Sequence, residues 1–134
     1  MPNLSIYSSR ALAILRIVTA LLFLEHATMK FFHFPAPLPG MTGPLPPLLM
    51  AAGVIELVTS TLIALGLFTR LAAFIASGEM AVAYFMARAP QGFWPVLNKG
   101  EVEILFCFIF FYLIFAGPGS WSVDAMRKSG RPRA

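Results

Sequence analysis

Arg16, Glu25, His26, Glu56 and Glu79 are ionisable side chains set inside long apolar runs, and Glu101 and Glu103 open a further one. A charge near the bilayer centre costs about 2.5–3.5 kcal/mol on insertion scales, so such groups turn inward and find partners. Together they suit a polar binding site or a proton path. The alternative is a set of buried ion pairs that only fixes helix register. At about 100° per residue, Arg16, His26, Lys30 and His33 share one stripe of a first helix. Glu25 falls on a different side, where it could meet another helix or another subunit. Gly53, Glu56 and Ser60 recur at i, i+3, i+7. Ala72, Ala76, Glu79, Ala83 and Ala87 form a small-residue stripe around one carboxyl, a surface that lets helices approach closely in lipid. Glu56 and Glu79 each lie about nine residues into their helices, roughly 14 Å deep. Arg16 is the expected countercharge, its forked donors able to hold two carboxylates, so an Arg16–Glu56 pair with Glu79 beside it is expected.

A second constellation is expected nearer the outer face. His26 and Lys30 are one turn apart, Glu101 and Glu103 open the last span at the same level, and Asn98 with Phe93 and Trp94 occupies the loop above. These groups could converge into a polar pocket roofed by aromatic rings, the general form of a small-ligand site. The alternative is a set of interfacial groups that meet water and lipid headgroups. No metal is expected: His26 and His33 are seven apart, whereas helical ligand pairs sit at i, i+3 or i, i+4. Cys107, the single cysteine, follows Glu103 by four and reads as packing, with no disulfide. Phe106, Phe108, Phe110, Phe111 and Phe115 go around the last helix, most of them towards lipid. No phosphate-binding glycine motif, nucleophile elbow or haem attachment motif occurs, so no complete catalytic motif is present.

The elements that must carry these residues follow from hydropathy. Of 134 residues 58% are hydrophobic and 12% charged, against about 25% charged in a typical soluble domain. That excludes an ordinary cytosolic enzyme, a disordered chain and a secreted disulfide scaffold. A span needs about 20 largely apolar residues. Four stretches qualify or come close, at about 11–32, 47–68, 71–87 and 101–116. The fold class expected is all-α: one domain, a membrane-spanning four-helix bundle. Arg16 and Glu25 inside the first stretch argue against a cleaved signal peptide. Only Thr69 and Arg70 separate the second and third spans, which therefore form a tight hairpin. The run from Phe34 to Pro44 is too rich in Pro and Gly for a helix and too apolar for a free linker, so it belongs at the interface. Residues 118–134 form a basic tail. With four spans, Arg10, Arg70, Arg127, Lys128, Arg131 and Arg133 lie on one side and Lys30, Arg88 and Lys99 on the other. Six against three places both termini in the cytoplasm. The net charge of +4 thus reads as an orientation signal, not as a nucleic-acid surface.

The order of short motifs resembles a known family. Arg16 precedes His26-Ala27-Thr28-Met29-Lys30, then come Gly53-Val54-Ile55-Glu56-Leu57 and Leu65-Gly66-Leu67-Phe68-Thr69-Arg70. Gly92-Phe93-Trp94-Pro95, Asn98-Lys99-Gly100-Glu101 and Gly117-Pro118-Gly119-Ser120-Trp121-Ser122-Val123-Asp124 complete the series. Together these are similar to the DoxX family of small four-helix membrane proteins, with Ala27 where that pattern commonly has Gly. The resemblance implies a four-helix bundle in the plasma membrane. It further implies a membrane subunit of an oxidoreductase, such as thiosulfate:quinone oxidoreductase, or a partner of redox and sulfur-handling proteins. Any electron carrier would then be a lipid-soluble quinone, in a site lined by His26, Glu56 and Glu79. A redox partner protein and a homo-oligomer are the expected associations besides the bilayer. The competing readings are a non-enzymatic scaffold or chaperone with a structural polar core, and a small transporter. For a transporter four short spans are few, and no inverted repeat is evident.

Overall fold

The computed structural model describes residues 3–39 and 43–129, with side chains as far as Arg127. A 3₁₀ turn, Leu4–Tyr7, leads into α1, Ser8–Phe32, which stops at His33 in the left-handed conformation. Helix α2, Pro47–Leu65, begins with proline in its first turn, where a missing N–H costs nothing. Its last residue, Leu65, lies three residues before the expected boundary, and Gly66, φ 70°, stops it. The N–H groups of Gly66 and Leu67 then bond back to the carbonyls of Ile63 and Leu62. Thr69 and Arg70, expected as the connection, instead open α3, Thr69–Ala83.

Beyond α3 the chain widens into a π turn, Tyr84–Arg88, and tightens into a 3₁₀ turn, Ala89–Gln91, at Pro90. The π turn shifts the helical phase. Ala72 and Ala76 of the expected small-residue stripe lie before it and are buried, whereas Ala87 lies within it and is exposed. A one-turn helix α4, Pro95–Asn98, precedes α5, Glu101–Ala116, and a short α6, Val123–Ser129, follows. Neither α4 nor α6 has a hydropathy signal of its own. Gly40, Met41 and Thr42 of the Pro/Gly loop, and Arg131 and Arg133 of the tail, lie outside the described residues.

Helix α1 packs on α2, α2 on α3 and α3 on α5, with α5 also touching α1. Between them Ala20, Phe23, Ile63, Ala72, Ala73, Ala76, Met80, Phe106, Phe110 and Leu113 form the core. The three alanines bring α3 close to its neighbours, and Phe23 meets the edge of Phe110 at 4.9 Å between ring centres. The outer surface is apolar, with Leu71, Phe74, Val82, Phe85, Phe108 and Phe115 all more than half exposed. Among the described residues three helical stretches are long and apolar enough to cross a membrane: Leu4–Phe32, Pro47–Leu65 and Thr69–Gln91. Helix α5 has 16 residues, about 24 Å of helix.

Candidate functional site

The polar residues gather at two levels, one near each end of the bundle. At the first, Lys30 reaches back along α1 and its Nζ donates to Glu56 Oε2 at 2.6 Å, with both side chains at least nine-tenths buried. The carboxyl of Glu79, from α3, lies beside that of Glu56, with Lys30 and Glu103 also within electrostatic reach. Glu103, from α5, pairs in turn with Arg88, Nε to Oε1 at 3.1 Å. Four helices and the π turn thus contribute one line of charges: Lys30, Glu56, Glu79, Glu103, Arg88. Three carboxyls face two cations, so one added proton would bring the set to neutrality. Glu79 Oε2 and Glu103 Oε2 are buried without a hydrogen-bond partner. Such oxygens can accept from a ligand or hold a proton shared with a neighbour.

The expected outer pocket is only partly assembled. Lys30 and Glu103 belong to the charge line, but Glu101 is exposed. Phe93 and Trp94 are 81% and 62% exposed and meet each other edge-on. Asn98 is buried and serves the loop. Its Nδ2 donates to Tyr84 Oη and Gly92 O, and its Oδ1 accepts from the Gly100 N–H at 2.8 Å. His26 does face α5, its ring edge-on to Phe106 at 5.6 Å, with Nδ1 3.2 Å from the Leu22 carbonyl. It packs on the Phe23 and Phe106 rings. Glu25 is exposed, on another side of α1 from the charge line. Ser77 Oγ donates to the Cys107 carbonyl at 2.8 Å, so Cys107 takes part in α3–α5 packing.

At the other end the expected Arg16–Glu56 pair does not form. Arg16 is fully buried, and its guanidinium donates to the backbone carbonyls of Pro118, Ser120 and Trp121, the last two at 3.1 and 2.9 Å. The reason is register. A Cβ placed on Gly66 would lie 3.3 Å from Arg16 Cζ, so Arg16 is level with the end of α2. Glu56 is ten residues back along that helix, about 15 Å away. The loop that wraps Arg16 turns through left-handed residues, Gly117, Gly119 and Trp121. At Gly119 a side chain would meet the Ser9 carbonyl at 2.7 Å.

Two further residues tie this end together. Arg70 Nη1 donates to the Ile114 and Phe115 carbonyls, placing a cation at the C-terminus of α5. Asp124 accepts the Phe68 and Thr69 N–H groups at 3.0 and 3.1 Å, capping α3. Burial pushes the Asp124 carboxyl up, but the Thr69 and Phe68 amides, with the Thr69 side chain and the nearby Arg127 charge, outweigh it and hold the group below the usual carboxylate range. The roles of Arg70 and Asp124 were missed in the sequence. Their only signal was the Gly-Pro-Gly-Ser-Trp-Ser-Val-Asp run, because backbone carbonyls and amides carry no side-chain type.

Apolar spans, an apolar outer surface and charges paired inside the bundle define a multi-pass membrane protein. The DoxX family pattern matches residues 11–89, and the chain belongs to that family. It is 48% identical over 128 residues to an uncharacterized protein of Haemophilus influenzae, covering 92% of this chain and 96% of the relative. It is 28% identical over 130 residues to an uncharacterized membrane protein of Mycobacterium tuberculosis, covering 82% and 77%. No solved structure matches it.

Proposed function

We propose that this chain is the membrane-embedded subunit of a quinone-linked redox complex in the plasma membrane. In this reading the Lys30–Glu56–Glu79–Glu103–Arg88 line is its proton-exchanging site. The carrying observation is the odd carboxyl in that line, with two buried oxygens that have no donor. Reducing a quinone to a quinol takes two electrons and two protons. The electrons come from a redox partner protein. The protons pass through the carboxyls, replaced from the aqueous side, and the general acid must sit within hydrogen-bond reach of the quinone oxygen. His26, set between Phe23 and Phe106, is the neighbouring donor to the ring. Helix α5 then serves as a fourth span, and both termini share the cytoplasmic side by the six-to-three charge count.

One observation favours the scaffold reading instead. At the Arg16 end the polar side chains bond to the chain's own backbone and hold elements together. The two readings part on what the protein carries. Extraction in mild detergent followed by lipid analysis should recover quinone with the wild type. Glu79→Gln and Glu103→Gln should lose it while staying monodisperse. A wild-type protein that carries only ordinary phospholipid, and binds no added quinone, would sink the redox reading and leave the scaffold.

A further inference from the structure

A cleft of about 600 Å³ opens at the Arg16 end, between the first turns of α1 and α3, the end of α5 and the short α6. Its volume is in the range of small-ligand sites. Two guanidinium groups line it, Arg70 and Arg127, and neither forms an ion pair among the described residues. Arg70 is held in place through Nη1 by the α5 carbonyls, which leaves the rest of its fork for another acceptor. Arg127 lies over the Phe68 ring, 5.3 Å from Cζ to centroid, which fixes its position at the cleft wall. The one acidic residue in the lining is Asp124, and both its oxygens are engaged by the α3 amides. Asp124 keeps its negative charge and attracts Arg127, so two cations against one carboxylate leave the lining net positive.

Its depth is equally specific. Arg70 is the second residue of the stretch Thr69–Gln91, where a span passes from headgroups into hydrocarbon. Leu71 in the lining is 63% exposed, and Phe115, whose carbonyl Arg70 holds, is 66% exposed just outside it, which gives the cleft an apolar flank. Cations at the headgroup level above an apolar flank fit a phosphate with acyl chains attached. We propose that this cleft binds the headgroup of an anionic phospholipid, the phosphate meeting Arg70 and Arg127 and the chains lying along Leu71 and Phe115. Forked guanidinium donors match phosphate oxygens. A zwitterionic lipid brings its own cation to the same place and is disfavoured.

The test uses the full chain in nanodiscs of phosphatidylcholine containing a minor share of phosphatidylglycerol, with bound lipid counted by native mass spectrometry. The wild type should retain phosphatidylglycerol in preference to phosphatidylcholine. Arg127→Gln should lower that preference about fivefold, the equivalent of one basic residue at a membrane surface. This variant breaks no hydrogen bond, removing a ring contact and a charge near Asp124, and it carries the test, because Arg70→Gln also uncaps α5. Lys99→Asn, an exposed cation at the opposite end, should change nothing. Equal preference in Arg127→Gln and the wild type would overturn the proposal. So would an equal loss in Lys99→Asn, which would mean diffuse attraction. Displacement of the bound lipid by inorganic phosphate alone would mean a site for the free anion and would overturn it too.

Discussion

Arg16 and Lys30 stand on one helix and solve the same problem, a cation inside a span, in opposite ways. Arg16 spends its fork on three backbone carbonyls, whereas Lys30 takes a carboxylate. The difference can be tested by double-mutant cycles. Lys30→Met or Glu56→Leu alone breaks a buried pair and should cost about 3–5 kcal/mol, much of it recovered in the double variant. Arg16→Met leaves carbonyls unsatisfied, at about 1–3 kcal/mol for each. Adding Glu56→Leu to Arg16→Met should recover nothing. Thermal unfolding in detergent reads both cycles. Coupling between Arg16 and Glu56, with none between Lys30 and Glu56, would reverse the assignment. Lys30 was counted among the outer-side charges, whereas Glu56 and Glu79 were legible as intramembrane carboxyls and Glu103 as a group opening the last span, because hydropathy exposes them. Their partners were not, because pairing depends on how far α2 slides along α1, and the Pro/Gly loop between them carries no readable register.

Among the elements, the long helices follow from apolar runs near the length a bilayer requires, which is why they can be read without a structure. Their ends are set by local chemistry that hydropathy does not see. Gly66 takes a left-handed conformation and stops α2, and Asp124, more than fifty residues along the chain, caps α3. The short α4 and α6 are stabilised by what they touch, Asn98 with Tyr84 in one case and Asp124 with the Gly66 carbonyl in the other. The Asp124 cap has a pH signature. Its folded-state value lies below the ordinary 3.8, so its contribution is full above that value and is lost as pH falls through the lowered one. Asp124→Asn should therefore be less stable than the wild type at neutral pH, and the gap should close in strong acid. A gap that stays constant from neutral to strongly acidic pH would show that the carboxylate charge is not what caps α3.

Across the whole molecule the two polar levels divide the work. The Arg16 end closes the chain on itself, joining α1, the α2–α3 turn, the end of α5 and α6 through backbone bonds. The Lys30 level crosses the bundle from α1 to α5 with an odd carboxyl in the middle, and two of its buried carboxyl oxygens are left without a hydrogen-bond partner once the ion pairs are made. The central claim, that this line exchanges protons with a quinone, is open to infrared difference spectroscopy on the reconstituted protein, oxidised against reduced quinone. The expected result is a carboxyl band that changes with the quinone's redox state, shifts in heavy water and disappears in Glu79→Gln. Quinone bands that change with no carboxyl signal, or a carboxyl signal that survives in Glu79→Gln, would contradict it.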